Sequence, residues 1–171
     1  MPTPDTFTEF VAARYPALLR TARLLVADAH AAEDLVQEAL ARCVPAWGRI
    51  EGDPEPYVRT VLVRQNISRW RRRRVAEVFV ESLPEVATYD ADAAVQDELT
   101  RALGQLAPRQ RAVVVLRHVE DRPEREVAQM LGCSVGTVKS QAHAGLARLR
   151  RILAEDEGGE ASSVAAASLT A

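Results

Sequence analysis

A short helix-forming segment near the C-terminal end carries polar side chains at a spacing that suits contact with DNA. Its outward face offers hydroxyl, ammonium and imidazole groups, which form hydrogen bonds with base edges and phosphates. The face is otherwise small and uncharged, which favours entry into the major groove; the alternative is a solvated helix in an ordinary bundle. The residues of this face are Gly136, Thr137, Lys139, Ser140, His143 and Ala144.

Two helices joined by a tight turn, within residues 124–151, must position this face. Val127, Ala128 and Leu131 share one side of the first helix. Gly132 stands where the chain turns sharply, and Ser134 can cap the second helix by accepting a backbone N–H. This pattern predicts a helix-turn-helix unit. The inward residues of its second helix are Val135, Val138, Ala142, Leu146 and Leu149.

A second group of residues suited to nucleic-acid contact ends the predicted third helix, residues 54–74. Residues 59–74 hold seven arginines and no acid. Guanidinium groups pair with phosphates and stack on bases, and Trp70 adds a flat aromatic surface. The alternative is a solvated helix end with Trp70 folded back onto the core. Arg69 and Arg71–Arg74 exceed what capping of a helix C-terminus needs, which favours DNA contact.

The second predicted helix, residues 29–47 after a capping Asp28, has an acidic and amide-rich outer face. Its inner face is apolar and extends to Val44 and Trp47. The outer face is either solvated or a docking surface for a basic partner. Its residues include Asp34, Gln37, Glu38 and Arg42.

The formal net charge of −2 conceals alternating acidic and basic segments. Residues 75–100 hold seven acids and no base, whereas residues 101–154 hold ten basic and four acidic residues. An acidic connector thus separates two basic surfaces, and local charge decides where phosphate binds. No run of about 18 apolar residues occurs, which predicts a cytoplasmic protein without membrane insertion. Cys43 and Cys133 are isolated, so no disulfide, metal site or cofactor is expected.

Helical spacing of apolar residues predicts an all-α fold of two small helical domains joined by a flexible acidic linker. The first domain covers residues 1–75, and Pro16 should kink or break its first helix. The linker covers residues 76–97, and the second domain of four helices covers residues 98–154. A disordered tail of acidic and small residues covers residues 155–171.

Two blocks of the sequence resemble the extracytoplasmic-function group of sigma-70 family RNA polymerase sigma factors, and within it the actinobacterial sigma-E-like subgroup. AEDLVQEAL followed by EPYVRTVLVRQNISRWRRRR is similar to sigma region 2. GCSVGTVKS, which follows ALGQLAPRQRAVVVLRHVEDRPEREVAQML, is similar to region 4. The short linker in place of a middle domain is typical of this two-domain group. Ala144 and Gly145 depart from the arginine-rich text that many members carry there.

The resemblance implies a non-enzymatic subunit that brings core RNA polymerase to promoters of a stress- or envelope-related regulon and helps to open the strands. Contacts with the polymerase clamp helices would come from Asp34, Gln37, Glu38 and Arg42. Contacts with the melted, single-stranded minus-ten element would come from Arg59, Arg64, Asn66, Arg69, Trp70, Arg71, Arg72 and Arg73. Contacts with the duplex minus-thirty-five element would come from Arg125, Gly136, Thr137, Lys139, Ser140, His143 and Arg148.

Other partners follow from the same resemblance. Arg109, Arg111, Arg125 and Arg148 would touch phosphates or the polymerase flap, and an anti-sigma factor is a further partner class, with no identity implied. Catalysis would belong to the polymerase, because the chain shows no nucleophile–base set, metal cluster or phosphate loop. The rival interpretation is a conventional dimeric helix-turn-helix regulator that binds duplex DNA without polymerase.

Overall fold

The computed structural model describes residues 4–26, 28–79 and 98–168, and this part of the chain contains helices and no strand. The all-α prediction is therefore confirmed. Residues 80–97 of the predicted linker and residues 169–171 of the predicted tail lie outside the described residues. The α-helices are α1 (Pro4–Val26), α2 (Ala29–Cys43), α3 (Glu55–Phe79), α4 (Glu98–Gly104), α5 (Pro108–Val114), α6 (Glu124–Leu131) and α7 (Val135–Ser168).

Helices α1, α2 and α3 form an N-terminal unit around a core that contains Leu18, Ala22, Leu35 and Leu62, all at most 1% exposed. Pro16 lies inside α1, yet the helix runs unbroken past it, so the predicted break does not occur. A proline in a helix interior costs about 3 kcal/mol, whereas full burial of a leucine side chain contributes about 1.5–3 kcal/mol. Burial of the apolar stripe beyond Pro16 therefore outweighs the lost hydrogen bond.

Helix α2 ends at Cys43, earlier than the predicted end at residue 47. Pro45 has no backbone N–H to donate, and the chain continues as a 3-10 turn over Val44–Arg49. The tighter turn leaves Val44 53% exposed, so its predicted place on the inner face is wrong. Trp47 is buried as predicted, with its ring centroid 4.9 and 5.1 Å from those of two phenylalanines of α1.

Three predicted helix boundaries are confirmed by hydrogen bonds and dihedral angles. At the start of α2, the Ala31 N–H donates to Asp28 Oδ1 at 2.6 Å. At the start of α7, the Thr137 N–H donates to Ser134 Oγ at 3.1 Å. Gly132 ends α6 with a φ of 62°, a left-handed conformation that glycine adopts at little cost. Helices α6 and α7 thus form the predicted helix-turn-helix.

Helices α4 to α7 form a C-terminal unit around a second core, and all five predicted inward residues of α7 lie in it or against it. The predicted helix after Pro108 continues beyond α5 as a π-helical segment, Val115–Val119. Leu25 of α1 and Val63 and Ile67 of α3 belong to this second core as well. The two units are therefore in apolar contact with each other.

Two helices are longer than the sequence predicts. Helix α7 continues to Ser168, through most of the segment for which disorder is predicted, and α3 continues to Phe79, past the predicted domain end at residue 75. Extension of an existing helix needs no new nucleus, and alanine and glutamate, which are frequent in both extensions, have high helix propensity. Propagation from a packed helix therefore explains both differences.

Candidate nucleic-acid interface

The helix-turn-helix presents on one surface most of the residues predicted to contact duplex DNA. The side chains predicted to read bases lie in the N-terminal part of α7, which is the part of a recognition helix that reaches base edges in the major groove. Gly136 is open to solvent, since an added Cβ there would meet only Ser134 Oγ at 3.7 Å. The exposed members of the set are Arg125, Gly136, Lys139, Ser140, His143 and Arg148, and Thr137 is half-buried.

Short hydrogen bonds hold the first turn of α7 in place. Ser134 Oγ lies 2.9 Å from Thr137 Oγ1, and Ser140 Oγ donates to the Thr137 carbonyl at 3.0 Å. Lys139 Nζ lies 3.7 Å from Glu124 Oε2 on α6, with side-chain exposures of 63% and 35%. An ion pair this exposed contributes about 0–1 kcal/mol, so a phosphate can replace the carboxylate.

The acidic face of α2 points away from the N-terminal core. Asp34, Gln37, Glu38 and Arg42 are all exposed, while Val36 on the inner side of the helix is fully buried. Glu38 also ties α2 to α3, because it accepts hydrogen bonds from the side chains of Gln65 at 2.7 Å and Arg69 at 3.3 Å. The structure thus brings the four predicted polymerase contacts together on one accessible face.

The second half of α3 and the acidic helix α2 border a groove of about 560 Å³. Arginines predicted to hold DNA and one arginine predicted to bind polymerase share this groove, which carries a net positive charge. Trp70 is 37% exposed nearby on α3, and Arg71 is exposed. The groove is lined by Glu38, Ala41, Arg42, Gln65, Arg69, Arg72 and Arg73.

Two residues of the predicted minus-ten set, Arg59 and Asn66, are not on the surface. They are 8% and 6% exposed, and Arg59 donates to Glu55 Oε1 at 2.9 Å and to Glu120 Oε1 at 2.5 Å. Arg59, Val63 and Asn66 follow one another at spacings of four and three residues, so they lie on one face of α3. The C-terminal unit covers that face at Val63, which belongs to its core. Spacing alone does not separate these residues from the exposed arginines, because Arg73 lies seven residues after Asn66 on the same face and is exposed.

Arg64 and Arg111 connect the two units through backbone carbonyls. Arg64 Nε donates to the Met130 carbonyl at 2.7 Å, and its Nη2 donates to the Gln129 carbonyl at 2.8 Å. Arg111 Nη1 donates to the Leu25 carbonyl at 2.7 Å. Both side chains, predicted to contact DNA, phosphates or the flap, therefore bind protein oxygens in this conformation, whereas Arg109 is exposed.

Sequence reasoning missed Glu120 and Thr21, which meet Arg59 between the two units. The Thr21 hydroxyl donates to Glu120 Oε1, and Arg59 Nη1 donates to Thr21 Oγ1 at 3.0 Å. Glu120 lies 61 residues from Arg59 and 99 from Thr21 along the chain, so no local pattern links them. Only the packing of the two units brings these groups together.

Among the described residues, no group of three or more His, Cys, Asp or Glu side chains is placed to hold a metal ion. Cys43 is fully buried in the N-terminal core, and this burial raises the pKa of its thiol to about 11. In the part of the chain that the structure describes, no helix is long and apolar enough to cross a membrane.

Both halves of the chain match family models of known proteins. The model of Sigma-70 region 2 matches residues 10–76, and the model of Sigma-70, region 4 matches residues 96–149. The chain is 46% identical over 151 residues to the RNA polymerase sigma-E factor of Streptomyces coelicolor, covering 86% of this chain and 85% of the relative. It is 33% identical over 150 residues to the ECF RNA polymerase sigma factor SigL of Mycobacterium tuberculosis, covering 81% and 83%.

A solved structure resembles the arrangement of helices over most of this chain. The sigma factor RpoE of Bartonella quintana, crystallised with the anti-sigma factor NepR, superposes with a TM-score of 0.70 at 25% sequence identity. The match covers 86% of this chain and 96% of that one. The similarity thus includes both helical units.

Proposed function

The chain belongs to the sigma-70 family of RNA polymerase sigma factors, and from this premise we propose which of its surfaces performs each step of transcription initiation. As a sigma factor of the extracytoplasmic-function type, it binds core RNA polymerase and promoter DNA. The observation that carries the residue assignments is the presence of one exposed acidic helix face and two exposed basic surfaces on separate units.

The acidic face of α2 is the polymerase contact in this proposal. Asp34, Gln37, Glu38 and Arg42 project from a helix whose other side is fixed in the N-terminal core, so the face is rigid before binding. A pre-ordered face loses little conformational entropy on association. Carboxylates on such a face complement a basic partner surface, which we assign to the clamp helices of the polymerase.

The arginine-rich end of α3 is the minus-ten contact. Arg71, Arg72 and Arg73 are exposed, and Arg69 and Trp70 lie beside them. Arginine neutralises phosphates, and an indole ring offers a stacking surface to an unpaired base. These groups together favour single-stranded DNA, because in a duplex the base faces are already stacked on one another. The expected result is capture of the opened strand.

The exposed face of α7 is the minus-thirty-five contact. Lys139, Ser140 and His143, with Thr137, reach base edges, while Gly136 allows close approach of the helix backbone. Arg125 and Arg148 suit phosphates on either side. The rival proposal of a regulator that acts without polymerase is not favoured, because the N-terminal unit matches a sigma region as well.

Three further assignments belong to this proposal. We infer that the chain is not an enzyme and that bond formation belongs to the polymerase, since initiation factors act by binding. Because bacterial polymerase works in the cytoplasm, we place the chain there. The relative from Bartonella quintana was crystallised with an anti-sigma factor, and this supports a partner of that class here.

The test is reconstitution with sigma-free core polymerase from a Streptomyces species. The chain should co-elute with core and make thymines of genomic promoter fragments reactive to permanganate, which reports unpaired bases. Asp34→Ala should weaken core binding by about tenfold, and Glu9→Ala, which removes an exposed carboxylate of α1, should not. Lys139→Ala should weaken promoter binding by about tenfold, within the range of one good base contact, while Arg20→Ala on α1 should not.

Absence of core binding would contradict the functional proposal as a whole. Equal affinities of Asp34→Ala and Glu9→Ala for core would contradict only the assignment of α2. Equal promoter affinities of Lys139→Ala and Arg20→Ala would likewise contradict only the assignment of α7.

A further inference from the structure

A cavity of about 310 Å³ lies between the second half of α3, the junction of α1 with α2, and the connection from α4 to α5. Asn66, Trp70 and Arg73 of α3 line it, and we call it the α3 cavity. We propose that the α3 cavity binds an adenine nucleotide, with the base against Asn66 and Trp70 and the phosphate on Arg73. The proposal goes beyond the function in transcription, because it requires neither polymerase nor promoter DNA.

Asn66 is the residue of the α3 cavity that points most directly to a ligand. Only 6% of its surface is exposed, and its side-chain amide forms no hydrogen bond with any other described residue. A buried polar group without a partner is destabilising, and most such groups in proteins have one. A ligand that offers a hydrogen-bond donor beside an acceptor would satisfy both ends of this amide.

Aromatic and aliphatic side chains of the same cavity suit a flat ring. Trp70 borders the cavity together with Leu25 and Val26 of α1 and with Leu106, which lies between α4 and α5. An indole ring stacks on a nucleobase, and aliphatic side chains pack against its remaining surface. The volume is at the lower end of the range for small-molecule sites, about 300–1,000 Å³, so the cavity has room for one nucleotide rather than for an oligonucleotide.

The charged residues of the lining favour an anionic ligand. They are Arg69, Arg73, Arg111 and Asp28, three cations and one anion, so their formal net charge is +2. The carboxylate of this set is engaged, since Asp28 Oδ1 accepts the Ala31 N–H at 2.6 Å. A concave site with an excess of positive charge attracts a phosphate.

Arg73 is the arginine of this lining that is available to hold a phosphate. Arg69 already donates to Glu38 Oε1 at 3.3 Å. Arg111 Nη1 donates to the Leu25 carbonyl at 2.7 Å. Arg73 is exposed and forms no hydrogen bond or ion pair with another described residue. Its guanidinium can therefore form two parallel hydrogen bonds with phosphate oxygens.

The three proposed contacts lie in a line along α3. Asn66, Trp70 and Arg73 follow one another at spacings of four and three residues, so they share one face of the helix. A rise of 1.5 Å per residue places Asn66 and Arg73 about 10 Å apart along the helix axis. An extended nucleoside monophosphate spans such a distance from the edge of its base to its phosphate. The base would then lie at the buried end of the line and the phosphate at the exposed end.

The amide of Asn66 determines which base is expected. Adenine presents an amino donor beside a ring-nitrogen acceptor, and an asparagine amide pairs with both, as it does when asparagine reads adenine in DNA. AMP is the smallest ligand that combines this base with a phosphate. It is therefore the probe for the α3 cavity.

The experiment titrates AMP into the full-length chain and records both the heat of binding and the tryptophan fluorescence. The chain contains two tryptophans, and Trp47 is buried in the N-terminal core, so quenching reports on Trp70. We expect a dissociation constant on the order of 10 µM for a ligand of this size. Adenosine, which lacks the phosphate, and ribose 5-phosphate, which lacks the base, should each bind about tenfold or more weakly than AMP.

Two arginine variants distinguish the α3 cavity from general attraction to a basic helix. Arg73→Ala should weaken AMP binding by about tenfold, because it removes the phosphate contact. Arg72→Ala is the matched control and should change the affinity by less than about twofold. Arg72 is the neighbouring exposed arginine, and it lines the groove beside α2 but not the α3 cavity.

A third variant, Asn66→Leu, tests the unpaired amide. It should weaken AMP binding by about tenfold. Without AMP, the variant should melt at the same temperature as the unmodified chain or at a higher one, because leucine has a similar shape and needs no hydrogen-bond partner. If the amide had a purely structural role, its replacement would lower the melting temperature and leave AMP affinity unchanged.

Three results would overturn the proposal. Absence of both heat and quenching up to about 1 mM AMP would show that the α3 cavity does not bind the nucleotide. Equal affinities for AMP and ribose 5-phosphate would show that the base is not recognised. Equal losses of affinity in Arg72→Ala and Arg73→Ala would show attraction to the basic helix as a whole. Circular dichroism verifies folding, and if Asn66→Leu does not fold, the comparison of Arg73→Ala with Arg72→Ala decides, since both change exposed residues.

Failure of the proposed function would look different, although Trp70 and Arg73 belong to both proposals. A chain that binds AMP with the expected dependence on Asn66 and Arg73, yet never binds core polymerase, would retain the nucleotide site and refute the assignment of α2. A chain that binds core and opens promoters, yet does not bind AMP, would retain the function and refute the nucleotide site.

Discussion

Gly145 is a buried glycine of α7, and its replacement by alanine tests how closely α7 packs on α5. A Cβ added there would lie 2.8 Å from Val114 Cγ2 and 3.5 Å from both the Cβ and the carbonyl oxygen of Gln110. Carbon atoms in good contact are about 3.5–4.0 Å apart. Val114 is 2% exposed and β-branched, so its methyl group cannot easily rotate away.

Two opposing contributions set the change in the free energy of unfolding. An extra methyl group in a packed core costs about 1–3 kcal/mol, and replacing glycine by alanine inside a helix contributes about 1 kcal/mol of stabilisation. We therefore expect Gly145→Ala to lower the free energy of unfolding by about 1 kcal/mol net of the helix term. The departure from arginine at this position thus has a packing reason: a longer side chain would push α7 off α5.

The assay is urea unfolding followed by circular dichroism, with Gly136→Ala as the matched control. Gly136 lies in the same helix, and a Cβ there meets only Ser134 Oγ at 3.7 Å, so only the favourable propensity term applies. The urea concentration at the midpoint of unfolding should fall for Gly145→Ala and rise for Gly136→Ala. The dependence of the unfolding free energy on urea concentration should be similar in both variants. If both variants were stabilised to the same extent, the close approach of α5 and α7 would be refuted.

Three further predictions concern the turn and the buried cysteine. Gly132→Ala should lower the free energy of unfolding by about 1 kcal/mol, because its φ of 62° is unfavourable for a residue with a Cβ. Gly132→Asn should lower it by less. Equal stability in urea of these two variants and the unmodified chain would contradict this prediction. Burial raises the pKa of the Cys43 thiol to about 11. Native protein treated with iodoacetamide at pH 8 should therefore carry the label on the partly exposed Cys133, as mass spectrometry would show. Equal labelling of the two cysteines would contradict the burial of Cys43. The folded chain holds the Cys43 proton where an unfolded thiol with its ordinary pKa of 9.0 releases it, so the free energy of unfolding should fall as pH rises from about 9 to about 11.

The elements of the fold that follow local rules were predictable from the sequence. Asp28, Gly132 and Ser134 are found at helix boundaries because their side chains or dihedral freedom suit those positions. The wrong predictions concern positions where opposing free-energy contributions compete, because the sequence pattern does not show which contribution is larger. Pro16 remains inside α1 because burial on both sides outweighs its cost, and Val44 is exposed because Pro45 changes the pitch of the chain.

The candidate site was predictable in its chemistry and less so in its accessibility. Composition identified α3 as basic, but it could not distinguish Arg59, which is buried, from Arg71, which is exposed. The difference depends on which face of α3 the C-terminal unit covers. Glu120, the partner that makes burial of Arg59 tolerable, is distant along the chain and lies next to the similar but exposed Asp121. Long-range pairing of charges is therefore the part that needed the structure.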